Sequence, residues 1–158
     1  MKKMILCLLG CCLALLGCQQ PQDGDKDKSQ VRDKGWLTSV PDAQAQAQKE
    51  NKLVLLDFTG SDWCSWCLKL DADVFSKTEF ADYAKSNLVM VELDFPNQKK
   101  LPDDLVKAND ALKIKYKISG FPTLVLLKPD GTVLWNNPGY IAGGPQAMIA
   151  KLEEAKNK

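Results

Sequence analysis

The chain has 158 residues, 21 of them Lys or Arg and 20 Asp or Glu, and it contains no histidine. A balance this close to neutral points away from nucleic acid and from anionic membrane surfaces as partners. With no imidazole present, histidine catalysis is excluded, and the reactive groups left to consider are six cysteines.

Cys7, Cys11, Cys12 and Cys18 all fall near the start. Lys2 and Lys3 precede an apolar run, 4–16, which fits the hydrophobic region of a secretory signal and is too short to span a bilayer. The run ends in Leu15-Leu16-Gly17-Cys18, similar to the lipobox of bacterial lipoproteins, in which the cysteine is lipidated and becomes the new N-terminus. The same four residues occur at Leu8-Leu9-Gly10-Cys11, but cleavage there would leave only 4–9 as the apolar run, so Cys18 is the predicted lipidation site. The alternative is an ordinary signal peptide with a chance cysteine at its end. Residues 1–17 are thus read as a lipoprotein-type signal peptide, and 18–35, rich in Gln, Asp, Lys, Ser, Pro and Gly, as the lipidated cysteine and a flexible tether. Removing Lys2 and Lys3 leaves 19 basic residues against 20 acidic, a net charge of about −1. The free thiols are then Cys64 and Cys67, too few for a disulfide framework although an exported compartment permits one.

The remaining stretch, 36–158, is enough for one core and not for two domains. Residues 41–51, rich in Ala, Gln, Lys and Glu after Pro41, predict a helix. The short apolar run 53–58 predicts a strand buried on both faces. Thr59-Gly60-Ser61-Asp62 is a turn with capping residues, and a helical pattern follows with Leu68, Leu70, Val74 and Phe75 as apolar positions. Cys64 therefore falls at a helix N-terminus. A helix over 78–86 and a buried strand over 88–95 come next, then a helix over 102–116 carrying Leu105, Ala108, Leu112 and Tyr116 at helical spacing. Residues 123–127 form a strand, Lys128-Pro129-Asp130-Gly131 a hairpin turn and 132–135 its partner, and 146–156 a closing helix. Strands joined through helices and followed by an antiparallel hairpin imply an α/β fold, a mixed central sheet flanked by helices.

The C-x-x-C spacing lets one cysteine act as an exposed nucleophile while the second, about one helical turn later, resolves a mixed disulfide. Cys64 is the candidate nucleophile, since helix-start N–H groups favour a thiolate, and Cys67 the resolver. Zinc would need two further nitrogen or sulfur ligands that the exported chain lacks, and an inert structural disulfide gains little from closing so small a loop. No metal and no diffusible cofactor are expected beyond the redox pair itself.

The order of elements, with Trp63-Cys64-Ser65-Trp66-Cys67 in the active-site position and Gly120-Phe121-Pro122-Thr123 in that of the cis-proline loop, resembles the thioredoxin superfamily over 36–158. Leu55-Leu56-Asp57-Phe58, with Cys67-Leu68-Lys69-Leu70-Asp71 and Val74-Phe75, is similar to periplasmic reductases of the Dsb type. These include the C-terminal thioredoxin domain of the membrane carrier DsbD and the small exported DsbH-like oxidoreductases. The resemblance implies that Pro122 follows Phe121 through a cis bond, in a loop that faces the cysteines and offers backbone to an extended substrate. It implies that Trp63 and Trp66 form an apolar collar for unfolded polypeptide, the alternative being that one of them packs on the core. Asp57 resembles the buried strand aspartate that moves a proton to or from Cys67, although Gly60-Ser61 make its spacing to the first cysteine one residue longer; the alternative is a strand-end cap. Asp71 falls where the DsbD-type domain has a glutamate, and is either a redox tuner or a solvated helix residue. Glu92 stands where many thioredoxins have a lysine partner for the aspartate.

Carboxylates near the sulfurs disfavour the thiolate, and the dipeptide Ser65-Trp66 lacks the histidine of strongly oxidising relatives. Both favour a reductase over an oxidase. The reading is a periplasmic, monomeric protein-disulfide reductase anchored by lipid to the inner or outer membrane. It would act on disulfide-containing or unfolded exported proteins and be recycled by a membrane thiol donor of the DsbD type. An oxidase or isomerase using the same residues, or a noncatalytic lipoprotein on the same fold, are the competing readings.

Overall fold

The structure, a computed structural model, describes residues 35–157. The predicted signal peptide, the predicted lipidation site Cys18 and most of the predicted tether lie outside the described residues. Ten elements follow in order: α1 (Val40–Glu50), β1 (Leu53–Thr59), α2 (Ser65–Leu70), a π-helical turn (Asp71–Phe75), α3 (Thr78–Asn87), β2 (Leu88–Asp94), α4 (Asp103–Lys115), β3 (Thr123–Leu127), β4 (Val133–Pro138) and α5 (Gly144–Lys156).

The sheet is mixed, in the order β2-β1-β3-β4. β1 runs parallel to β2, from Leu53 beside Leu88 to Thr59 beside Asp94, and antiparallel to β3, which pairs antiparallel with β4. Alternate side chains of each central strand enter different cores, which is why the strand sequences are apolar throughout. On one face Leu55, Met90, Leu124 and Leu126 pack with Leu70, Val74, Phe75 and Phe80, and with Met148 and Leu152 of α5. On the other, Val54, Leu56, Phe58 and Leu93 meet Val40, Ala43 and Ala47 of α1, and Tyr116 and Ile118. The outer edge of β2 is covered at one point: Leu37 N–H donates to Met90 O, and Glu92 N–H donates to Leu37 O.

Two predicted core positions are corrected. Leu68 is 52% exposed, because a helix beginning at Ser65 turns Cys67, Leu70 and Val74 inward and carries Leu68 round to the outside. Ala108 is exposed too. The inward stripe of α4 is Leu105, Asn109, Leu112 and Tyr116, and the buried Asn109 amide donates to Asp94 O at 3.0 Å. β4 runs through Asn136 and Asn137, past the predicted end at Trp135, because pairing with β3 continues to Pro138 beside Thr123.

Candidate active site

The C-terminal end of β1 and the N-terminal end of β3 lie side by side, Phe58 pairing with Thr123, so the loops they carry meet at one edge of the sheet. The first loop leads into α2, whose N-cap is Cys64. Cys64 and Cys67 are both buried and joined in a disulfide, with Cα atoms 5.2 Å apart. The Cys67 N–H donates to Cys64 Sγ at 3.2 Å, as the N3 amide of a helix does to a capping oxygen. On reduction the same amide and the helix start favour negative charge on Cys64. The second loop holds the Phe121–Pro122 peptide bond, which is cis. Thr123 Oγ1 donates to Gly120 O at 2.8 Å and Gly139 N–H to Pro122 O at 2.7 Å, fixing that loop to the end of β4.

The segment before Cys64 is tied to the loop after β2. Ser61 donates twice to the Asp94 carboxylate, from N–H at 2.9 Å and from Oγ at 2.6 Å. The Trp63 indole donates to Phe95 O at 2.8 Å. Asp62 accepts the amides of Asn97, Gln98 and Lys99 at 2.8, 2.7 and 2.9 Å. The amides of Asn97 and Lys99, ahead of that of Gln98, hold the Asp62 carboxyl below its ordinary value. Gly60 is required beneath this strap, since a Cβ there would lie 2.6 Å from Cε2 of Trp63.

The predicted collar residues fall on the two sides of the disulfide. Trp63, 45% exposed, meets Phe121 edge-on with centroids 5.9 Å apart, and Phe121 in turn meets Phe95 at 5.0 Å. Trp66, 55% exposed, lies against Tyr140 at 5.5 Å. The Tyr140 hydroxyl donates to Asp73 Oδ2 at 2.6 Å, and Lys69 Nζ lies 2.8 Å from the same oxygen. Lys69, and after it Tyr140, lower the Asp73 pKa, while Asp73 raises that of Tyr140.

Asp57 and Glu92 are 3% and 8% exposed and are register partners on the parallel strands β1 and β2. They lie on the α2-bearing face of the sheet, two residues beyond Leu55 and Met90. Two buried carboxyls are therefore neighbours on that face. Asp71, at the C-terminal end of α2, accepts the Ser76 hydroxyl at 3.1 Å across the π-helical turn. Ser61, Asp62, Asp94 and Tyr140 belong to the site's framework but carry no sequence signal beyond Ser61 and Asp62 being turn residues.

Comparison with known proteins gives a consistent picture. Residues 40–156 match the thioredoxin-like domain family. The chain is 37% identical over 117 residues to "Disulfide bond reductase DsbH" of Chlamydia pneumoniae, covering 74% of this chain and 70% of that protein. It is 28% identical over 92 residues to "Thioredoxin-related protein DsbJ" of the same organism, of which it spans only 26%. The solved structure of a "DsbH Oxidoreductase" superposes with a TM-score of 0.72 at 34% identity, covering 81% of this chain and 85% of that one. The oxidised C-terminal domain of DsbD from Neisseria meningitidis shares the fold, with a TM-score of 0.54 at 18% identity, covering 72% and 90% of the two chains.

Proposed function

The chain belongs to the thioredoxin-like domain family, and from that premise we propose that it is an exported thiol-disulfide oxidoreductase acting mainly as a protein-disulfide reductase. The Cys64 thiolate attacks one sulfur of a substrate disulfide, forming a mixed disulfide and releasing the other substrate sulfur as a thiolate. Cys67, deprotonated toward Asp57, then attacks Cys64 Sγ, closing the Cys64–Cys67 disulfide and releasing the second substrate thiol. Two electrons pass to the substrate, and a membrane dithiol donor of the DsbD type returns them. Glu92 beside Asp57, and Asp71, favour the protonated, reducing form. Trp63, Trp66, Phe121 and Pro122 line the approach of an extended substrate. The pair Cys64–Cys67 is the only redox group the cycle needs. Export through residues 1–17, lipidation at Cys18, a monomeric state and a periplasmic site at the inner or outer membrane complete the proposal.

The observation that carries this reading is the Cys64–Cys67 disulfide set at the N-terminus of α2, with the Cys67 amide on Cys64 Sγ. The equilibrium reduction potential of the couple in a glutathione or dithiothreitol buffer tests its direction. A value near the thioredoxin end, about −270 mV, supports a reductase, and one near about −120 mV would make the protein an oxidase.

A further inference from the structure

A cleft of about 640 Å³ lies on the Trp63 side of the active-site loop, bounded by Trp63, Phe121, Phe95, Leu101, Val106 and Lys113. Trp63 directly precedes Cys64 and Phe121 directly precedes Pro122. A polypeptide with its reactive sulfur at Cys64 can therefore lay its flanking residues in the cleft. The apolar wall comes from the two phenylalanine rings, 5.0 Å apart, and from the exposed Val106 of α4.

The charge of the cleft is set by which groups remain uncommitted. Asp94, in its wall, already accepts two bonds from Ser61 and has Lys99 Nζ at 3.9 Å. Lys113 Nζ lies 5.4 Å from the centroids of both Phe95 and Phe121, is half-buried, and has no carboxylate at ion-pair distance among the described residues. Lys100 also lines the cleft without such a partner; among the described residues, the carboxylates left uncommitted near these lysines are Asp103, in the first turn of α4 and in the cleft wall, and Asp110, which faces Lys113 from outside the cleft. A cation over two aromatic faces has given up water on that side. A carboxylate arriving from the open side meets it at a lower effective dielectric than at an ordinary surface, and an ammonium is repelled for the same reason.

We propose that this cleft selects substrates, taking an apolar side chain against Phe95, Phe121 and Val106 and an acidic one at Lys113 in the segment flanking the reactive cysteine. The proposal rests on the reductase reading and adds to it a preference for acidic over basic flanks.

Two disulfide-linked peptides, identical except for Glu or Lys two residues beyond a Phe that neighbours the cysteine, test it with the full chain. A small disulfide without side chains serves as the reference substrate. The Glu peptide should be reduced about fivefold faster in kcat/KM, the size expected of one partly desolvated ion pair, and the gap should shrink as salt rises. Lys113→Gln should equalise the two peptides, Lys113→Arg should keep the order and Lys113→Glu should reverse it, all three leaving the small disulfide unaffected. Equal rates in the wild type, or a Glu preference that survives Lys113→Gln, overturn the proposal while leaving the reductase reading intact. Failure to reduce even the small disulfide sinks the reductase reading instead. In that case binding of the cysteine-to-serine peptides, read by isothermal titration calorimetry, decides the cleft: tighter Glu binding lost in Lys113→Gln upholds it, and equal binding overturns it.

Discussion

The two tryptophans beside the disulfide are held in different ways. Trp63 belongs to a loop tied by six hydrogen bonds to the end of β2 and the chain after it: two from Ser61 to Asp94, one from its own indole to Phe95 and three from Asn97, Gln98 and Lys99 into Asp62. Trp66 leans on Tyr140, whose hydroxyl donates to the half-buried Asp73 carboxylate, which is itself paired with Lys69. The entry to the nucleophile is thus tied by side chains to backbone groups of a neighbouring segment, whereas the dipeptide between the cysteines is supported by side chains alone. Geometry at Cys64 should therefore be sensitive to changes on the Trp63 side and tolerant of changes on the Trp66 side.

The largest effect removes what both sides serve. Cys64→Ser should abolish turnover, while Cys67→Ser should accumulate a covalent mixed disulfide with substrate, visible on a non-reducing gel. If Cys67→Ser instead stayed unmodified and Cys64→Ser trapped substrate, the roles of the two thiols would be exchanged.

Next comes the strap itself. Gly60→Ala places a methyl 2.6 Å from the Trp63 ring, which must leave its bond to Phe95 O, so we expect a loss of about 1–3 kcal/mol in urea denaturation together with altered Trp63 fluorescence. Asp94→Ala leaves the Ser61 N–H and hydroxyl without their acceptor and should cost about 1–3 kcal/mol. If either variant is neutral in stability and turnover, the Trp63 side is no more rigid than the other.

Asp62 gives the comparison a pH axis. Its three amide donors lower the folded pKa below the ordinary 3.8, so its contribution is full above that value and is lost as pH falls through the depressed folded value. The amides of Asn97, Gln98 and Lys99 should shift together in NMR spectra as acid is added below about pH 4. Asp62→Asn should remove that shared titration, and amides that move independently in the wild type would mean that the carboxylate is not their common acceptor.

Much of this site was legible in the sequence because its chemistry is local. Cys64 and Cys67 are three residues apart, the cap position follows from turn residues before a helical pattern, and β1 and β3 are short apolar runs whose extent the sheet barely changes. The strap was not legible. Ser61 and Asp94 are 33 residues apart, Asp62 and its amides 35 to 37, and no periodicity links a turn serine to an aspartate at the end of another strand. The same holds for Asn109, a polar residue on an inward stripe that apolar helical spacing assigned to Ala108, and for Tyr140, whose partner Asp73 lies 67 residues away. What sequence pattern cannot carry is the pairing of single polar groups across the fold.

The smallest expected effect lies on the Trp66 side. Tyr140→Phe keeps the ring beside Trp66 and removes the donor to Asp73, leaving Lys69 as the larger influence on that carboxyl. Asp73 should then titrate at a higher pH than in the wild type while staying below its ordinary value, because the lysine remains. Turnover should change by about twofold or less, since a polar contact at the half-buried surface contributes little and the ring beside Trp66 stays. Tyr140→Ala, which removes the ring as well, should alter Trp66 fluorescence more than Tyr140→Phe does while leaving the Asn97 to Lys99 amides in place. If Tyr140→Phe instead lowered turnover as far as Asp94→Ala, the hydroxyl would be positioning Trp66 as firmly as the strap positions Trp63. The contrast between an entry strapped to a neighbouring segment and an exit held by a single side-chain contact would then be gone.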